Sequence, residues 1–255
     1  MTAWLDGRQI PAPLQTLWRG EGVYETLLWR DRPPPAFALH VERMARGAGK
    51  LGVAAPLGSE LQHSIAQAVG GDRELMRVRV TCLPGEDRLP SLLVEARPAL
   101  PTELRPQPAK LQLGPRVRNA SDWFHGCKHI GIAADLAVRR HAREHGADDV
   151  LLRSVDGWWS EAVTATVLVG LDDGQTATPG PEAAPLPSTT LAQLRVQGLE
   201  VEPVLLGDAD LPRVRWMLLL NAVCGAREVR RLEGVDLGPA PPGLLALARA
   251  VTGAR

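Results

Sequence analysis

The stretch from Arg97 to Pro108 sets the terms for any fold this chain can adopt. It carries prolines at 98, 101, 106 and 108 among polar residues. Each proline fixes φ and removes a backbone donor, so neither a long helix nor a central strand runs through such a segment. A second irregular stretch, Gly114 to Asp122, follows closely. The 255 residues are therefore expected to form two lobes: an N-terminal α+β domain over residues 1–112, an interdomain linker over 113–122, and a C-terminal domain over 123–255.

Both sides of the break read as mixed α and β. Trp4 to Ile10 predicts a hairpin turning on Asp6-Gly7, the pair favoured by a type I′ turn. Glu21 to Trp29 alternates Val23, Glu25 and Leu27 against Tyr24, Thr26 and Leu28, a strand with one usable face. Asp31 to Pro35 predicts a turn, Ala36 to Leu39 a short returning strand, and His40 to Leu51 an amphipathic helix on Val41, Met44, Ala45, Ala48 and Leu51. A helix over Ser59–Val69 and paired strands over Met76–Leu83 and Ser91–Arg97 complete the first lobe. The second is expected to hold a helix over 131–145, a strand over 149–153, a hairpin around Asp156-Gly157 and a strand over Thr164–Val169. A helix over Thr189–Gln197 should stop at Gly198, a residue suited to the C′ position. Strands near 199–203, 215–220 and 229–232 and a helix over 241–250 follow. No internal repeat is visible.

Composition narrows the function. Basic and acidic side chains number 29 each, so no net field draws the chain to nucleic acid or to an anionic membrane, and neither is expected as a partner. No apolar run reaches the length of a membrane span. The segment Met1 to Gly7 has neither the basic nor the apolar part of an export signal, which makes the cytoplasm the expected location. The three cysteines, Cys82, Cys127 and Cys224, are widely spaced and unpaired in sequence. That pattern gives neither a disulfide framework nor a metal site.

Lysine usage is the sharper signal. Only Lys50, Lys110 and Lys128 stand among 29 basic side chains. Arginine stays protonated in proteins, whereas lysine can lose its proton and act as a nucleophile. A chain that writes nearly every positive charge as arginine keeps lysine where an amine is needed. Lys128 lies in His125-Gly126-Cys127-Lys128-His129, without an anionic neighbour. Downstream come Glu161, at the start of a strand, and Ser188-Thr189-Thr190, at the start of a helix. Taken singly these also fit a surface lysine, a strand-end ion pair and a plain N-cap.

Taken together, and in this order, they resemble the class IV aminotransferase family, the pyridoxal-phosphate enzymes of fold type IV. Arg19-Gly20-Glu21-Gly22-Val23-Tyr24-Glu25-Thr26 is similar to the family's Gly-Asp-Gly-Val-Phe/Tyr-Glu-Thr. His40-Val41-Glu42-Arg43-Met44 is similar to its His-x-x-Arg-Leu, and Asp156 to Thr166 to its Asp-Gly-x-x-Thr-Glu segment. Leu186 to Thr190 resembles its Leu-x-Gly-hydrophobic-Thr, with Ser188 in place of the glycine. The resemblance implies an α+β fold with a small N-terminal α/β lobe and a larger C-terminal pseudo-barrel lobe that binds pyridoxal 5′-phosphate.

It also implies roles. Lys128 would be the catalytic amine, and Glu161 the partner of the pyridine nitrogen. Arg43, Thr189 and Thr190 would hold the phosphate at a helix N-terminus. Asn221 and Ala222 would edge the cofactor, and Tyr24 and Arg88 would face substrate. No metal is implied. The Asn221-Ala222 and Lys128-His129 pairs are similar to those of aminodeoxychorismate lyases, so release of pyruvate and 4-aminobenzoate from aminodeoxychorismate is the first expectation. A class IV transaminase acting on branched-chain or D-amino acids is the alternative. Arg88-Leu89-Pro90 lacks the histidine of the family's Arg-x-His carboxylate trap, which weighs against the D-amino-acid form. A cofactor-free relative is a third. The family implies a homodimer and a small-molecule amine substrate.

Overall fold

The computed structural model describes residues 3–5, 8–10, 16–71 and 74–253. The chain forms two compact units, one of Met1–Ala99 with Gly126–Ile132 and one of Leu100–His125 with Ala133–Arg255.

In the first unit, β1 (Ala3–Leu5) and β2 (Arg8–Ile10) pair antiparallel with Trp4 opposite Gln9. The expected hairpin is there, and its Asp6-Gly7 turn lies outside the described residues. β3 (Val23–Trp29), β4 (Met76–Pro84) and β5 (Pro90–Pro98) form an antiparallel sheet with β4 in the middle. Two helices, α1 (Phe37–Lys50) and α2 (Gly58–Val69), supply the rest of its core. Leu27, Met44, Ala48, Leu61, Ile65 and Val78 meet there. The alternation of β3 explains its half of that core, since odd-numbered residues of the strand point into it and even ones to the opposite face of the sheet, where Leu28 is also buried. At Gly47, a Cβ would stand 2.8 Å from the Val23 side chain, so glycine lets α1 lie directly on β3.

The short strand expected over Ala36–Leu39 is instead the first turn of α1. Phe37 belongs to the helical series Phe37, Val41, Met44 and Ala48, and its ring meets Trp29 edge-on at 5.9 Å between centroids. Apolar residues so close to a turn fit either period, and the packing partner decides.

The second unit is built on one nine-stranded sheet. In chain order its strands are β6 (Ala109–Arg118), β7 (Asp149–Ser154), β8 (Trp159–Ala162), β9 (Thr166–Leu171), β10 (Thr176–Pro179), β11 (Glu202–Val204), β12 (Val214–Asn221), β13 (Gly225–Leu232) and β14 (Val235–Asp236). They lie in the order β11-β10-β9-β12-β13-β6-β7-β8, with β14 beside β13. The sheet curls into a half-barrel. Trp159 on β8, at one end of the order, donates its N–H to the carbonyl of Leu206, just past β11 at the other end, at 2.7 Å. Trp159, Leu151, Val167, Val169 and Leu219 fill the inside of the curl. After α3 (Pro101–Leu104), three helices cover parts of the sheet: α4 (Ala133–Glu144), α5 (Thr189–Val196) and α6 (Pro242–Ala250). α5 and α6 pack on Leu168, Leu218 and Leu220, and α4 on Val150 and Leu152. Every residue of β9 is buried, which is why this strand is apolar throughout rather than alternating.

The stretch over 113–122, expected as a linker, is a strand as far as Arg118. β6 is hydrogen-bonded in parallel to both β7 and β13, so it sits inside the sheet despite its Gly-Pro interruption. The crossing back to the first unit is made by residues 126–132, which carry Lys128.

Candidate active site

Lys128 is placed by β3. Tyr24 N–H donates to the Lys128 carbonyl at 2.8 Å, Ile130 N–H donates to the Gly22 carbonyl at 3.0 Å, and Val23 bridges antiparallel to His129. This backbone pairing brings the Lys128 ammonium over the Tyr24 ring, 4.6 Å from its centroid. Within this unit, and among the described residues, no carboxylate pairs with Lys128. The amine thus has the Tyr24 aromatic face beside it.

Tyr24 carries a second cation. The Arg79 guanidinium lies 4.0 Å from the same ring centroid. Its Nε is buried without a hydrogen-bond acceptor, and its ion pair with Glu95 is a long one, at 3.8 Å. Arginine with an unused donor beside the catalytic candidate is suited to bind an anionic substrate group. No sequence signal separates Arg79 from the neighbouring arginines of β4.

On the opposite face of β3, Glu25 is buried and accepts from Arg43 Nε at 2.7 Å, with His40 Nδ1 at 2.6 Å from its other oxygen. Burial pushes the Glu25 carboxyl up, but the charge and hydrogen bonds of Arg43, with those of His40, outweigh it and hold the group at about 2. Arg43 is thus neither solvated nor on an exposed face: it is 6% exposed and engaged by Glu25. Arg88, the other expected cation, is exposed at a turn where Asp87 and Arg88 both have positive φ. Its guanidinium reaches the Leu51 carbonyl at 3.4 Å, beyond the end of α1.

In the second unit, Glu161 on β8 is fixed at both oxygens. Arg118 Nε donates to Oε1 at 2.8 Å and Leu186 N–H to Oε2 at 3.0 Å. Arg118 gives its two terminal nitrogens to Asp135, at 3.2 and 2.8 Å. Burial works against the Arg118 charge, but these two carboxylates outweigh it and raise the guanidinium above its ordinary value. The same loop that binds Glu161 starts α5. Ser188 is its N-cap and accepts from Leu191 N–H at 3.2 Å, so the capping role weighed for this residue is observed. Thr189 and Thr190, the first two helical residues, are buried beside the positive end of the helix dipole. Asn221 uses its side-chain oxygen to accept from Val223 N–H at 2.9 Å and Cys224 N–H at 3.0 Å, which ties the β12–β13 turn. Ala222 sits in that turn, half-buried.

Each unit by itself offers groups of the kinds pyridoxal phosphate requires: in the first, and among its described residues, the Lys128 amine without a carboxylate pair, and in the second Glu161, held at both oxygens, with the N-terminus of α5 that starts at Thr189 and Thr190. Among the described residues no cluster of His, Cys, Asp or Glu is suited to a metal ion, and no helix is long and apolar enough to cross a membrane.

The model of the class IV amino-transferases matches residues 22–232, and the chain belongs to that family. It is an enzyme of the aminotransferase and lyase type. A bifunctional aminodeoxychorismate lyase and D-amino acid transaminase of Mycobacterium tuberculosis is 26% identical over 254 residues, covering 88% of this chain and 86% of the relative. A hypothetical aminotransferase of the same organism, in its PLP-bound form, superposes with a TM-score of 0.83 at 25% identity, over 98% of this chain and 95% of the other. Its form with α-ketoglutarate and PMP gives a TM-score of 0.82 at 25% identity, over 99% and 98%. The α+β architecture with a curled second sheet is that of fold-type IV enzymes.

Proposed function

We propose that this enzyme is a pyridoxal-phosphate transaminase, which moves the amino group of a small carboxylate-bearing amine to a keto acid. The observation that carries the reading is Lys128, held by the backbone of β3 over the Tyr24 ring with no carboxylate partner in its unit. The cofactor, when bound, supplies an aldehyde that takes up amines and a ring that draws electrons from the adjacent carbon. Lys128 Nζ is the base that takes the proton from the substrate α-carbon and returns it. Glu161, held at both oxygens, would pair with the ring nitrogen. The N-terminus of α5 with Thr189 and Thr190 would hold the phosphate. Tyr24 lines the substrate side, and Arg79 rather than Arg88 is the cation placed to meet a substrate carboxylate. Asn221 acts by shaping the turn that carries Ala222. In this reading the two oxygens and Nε shared by Glu25 and Arg43 make Arg43 a support for β3 first and a phosphate ligand second.

Transamination is preferred to the lyase reaction because a relative at 25% identity, described as a hypothetical aminotransferase, is seen with both α-ketoglutarate and PMP bound. The lyase remains the second reading, favoured by the bifunctional M. tuberculosis relative and by the Asn221-Ala222 pair. The PLP-bound relative counts against a cofactor-free protein. A homodimer is part of the proposal and is checked by sedimentation.

The test has two stages. Protein incubated with pyridoxal phosphate should turn yellow, and borohydride reduction followed by peptide mapping should leave the cofactor mass on Lys128. A colourless protein after incubation with excess cofactor overturns the reading. The loaded enzyme is then given D- and L-amino acids with α-ketoglutarate, and separately aminodeoxychorismate. Keto acid formation supports the transaminase; 4-aminobenzoate without it makes the lyase the correct choice.

A further inference from the structure

Arg118 presents a problem of charge. A glutamate that is to hold a protonated ring nitrogen must offer it net negative charge. Glu161 instead lies in contact with a guanidinium, Arg118 Nε to Oε1 at 2.8 Å. A one-to-one ion pair of this kind is close to neutral from outside and a poor partner for a second cation. The structure adds a third member. Asp135, in the first turn of α4, takes both terminal nitrogens of Arg118 in a fork at 3.2 and 2.8 Å, the stronger mode of arginine–carboxylate pairing. One cation is shared by two carboxylates, so the cluster carries a net charge of about minus one. Its side chains are only 21%, 16% and 11% exposed for Arg118, Asp135 and Glu161, so solvent screens the balance weakly. The remaining Glu161 contact, Leu186 N–H, is neutral.

We infer that Asp135 is a positioning residue for the cofactor ring: it occupies and neutralises Arg118, so that Arg118 orients Glu161 without cancelling the charge Glu161 presents to the ring nitrogen. This rests on the reading of Glu161 as the ring partner. Arg118 supplies the orientation, because it fixes Oε1 while Leu186 fixes Oε2. Asp135 supplies the charge. A purely structural Asp135, stabilising the N-terminus of α4 through the helix dipole, would affect melting and leave the ring unchanged.

The full chain loaded with pyridoxal phosphate labelled with nitrogen-15 in the ring separates these roles, since the ring-nitrogen shift reports directly whether that atom is protonated. The pH midpoint of that signal is measured for wild type, Glu161→Gln, Asp135→Asn, Arg118→Gln and the Asp135→Asn/Arg118→Gln double variant, with melting of the cofactor-free proteins alongside. Asp135→Asn is expected to lower the midpoint by about one pH unit, a tenfold loss of ring proton affinity. Arg118→Gln alone should not lower it, and adding it to Asp135→Asn should restore the wild-type midpoint. An Asp135→Asn midpoint equal to wild type, or a double variant no better than Asp135→Asn, overturns the inference. Where Arg118→Gln does not fold, the isosteric Asp135→Asn decides alone. If Glu161→Gln leaves the midpoint unchanged, the assignment of Glu161 has failed and this inference falls with it. If Glu161→Gln lowers it and Asp135→Asn does not, only the inference fails.

Discussion

Replacing Glu25 by glutamine isolates a buried electrostatic lock in the first unit. Glu25 and Arg43 have side chains only 3% and 7% exposed, and the carboxylate lies directly against the buried guanidinium. The variant keeps the shape but removes the carboxylate charge beside the buried Arg43, a change that costs about 3–5 kcal/mol. The proton equilibrium gives a similar figure. A fall of the Glu25 pKa from 4.5 to about 2 corresponds to roughly 3 kcal/mol, at about 1.4 kcal/mol per pH unit. Because the folded value lies below the unfolded one, this stabilisation is complete above about 4.5, shrinks as pH falls, and is absent below about 2. Urea unfolding, followed by circular dichroism at a series of pH values, measures both effects. Glu25→Gln should be destabilised at neutral pH, and the gap to wild type should close as pH falls through that window. Removing both charges, in Glu25→Gln/Arg43→Met, should recover part of the loss, since an apolar replacement of a buried pair is often close to neutral. A Glu25→Gln protein within about 1 kcal/mol of wild type at neutral pH, with a gap that does not change on acidification, would refute the reasoning.

Two further outcomes are expected. Arg79→Met should raise KM for a carboxylate-bearing substrate about 10- to 100-fold with a smaller effect on kcat, the scale of a lost hydrogen bond to a charged group; steady-state kinetics read it, and an unchanged KM removes Arg79 from the substrate site. Gly225→Ala should destabilise the second unit by about 2–4 kcal/mol, measured by thermal melting, because φ is +69° there and a Cβ would stand 2.1 Å from the Ala248 carbonyl oxygen.

Much of the architecture was legible because local pattern and tertiary role agree. The helix at Gly58–Val69, the β4–β5 pair and the stop of α5 before Gly198 are set by periodicity and by glycine chemistry, which short windows contain. The first turn of α1 was not, because Phe37 acquires its period only through its contact with Trp29. Nor was the route of residues 126–132. A bridge such as Val23 to His129 joins positions far apart in sequence and leaves no trace in either segment. The site shows the same division. Lys128, Glu161 and the start of α5 stand out as residue types in a recognisable order. Arg79, Arg118 and Asp135 do not, because each is one arginine or aspartate among many until a ring, a carboxylate or a fork gives it a partner.

The two buried acid–arginine clusters illustrate why partner identity alone does not decide function. Glu25 receives Arg43 on both oxygens and His40 on one, so every acceptor is turned inward to groups that can carry positive charge. The charge of this carboxylate is matched by the Arg43 guanidinium beside it, and its effect is to fix β3 under α1. That fixes the neighbouring residue as well: Tyr24, which points the other way, is held where its ring meets Lys128 and Arg79. The Glu161 cluster differs, with one arginine between two carboxylates. A buried acid matched by one arginine makes a strut, whereas one arginine shared by two acids leaves negative charge to be used by something else. The same fold contains both, one on each unit, and in the second the surplus falls on Glu161, the residue the family pattern assigns to a cationic ring.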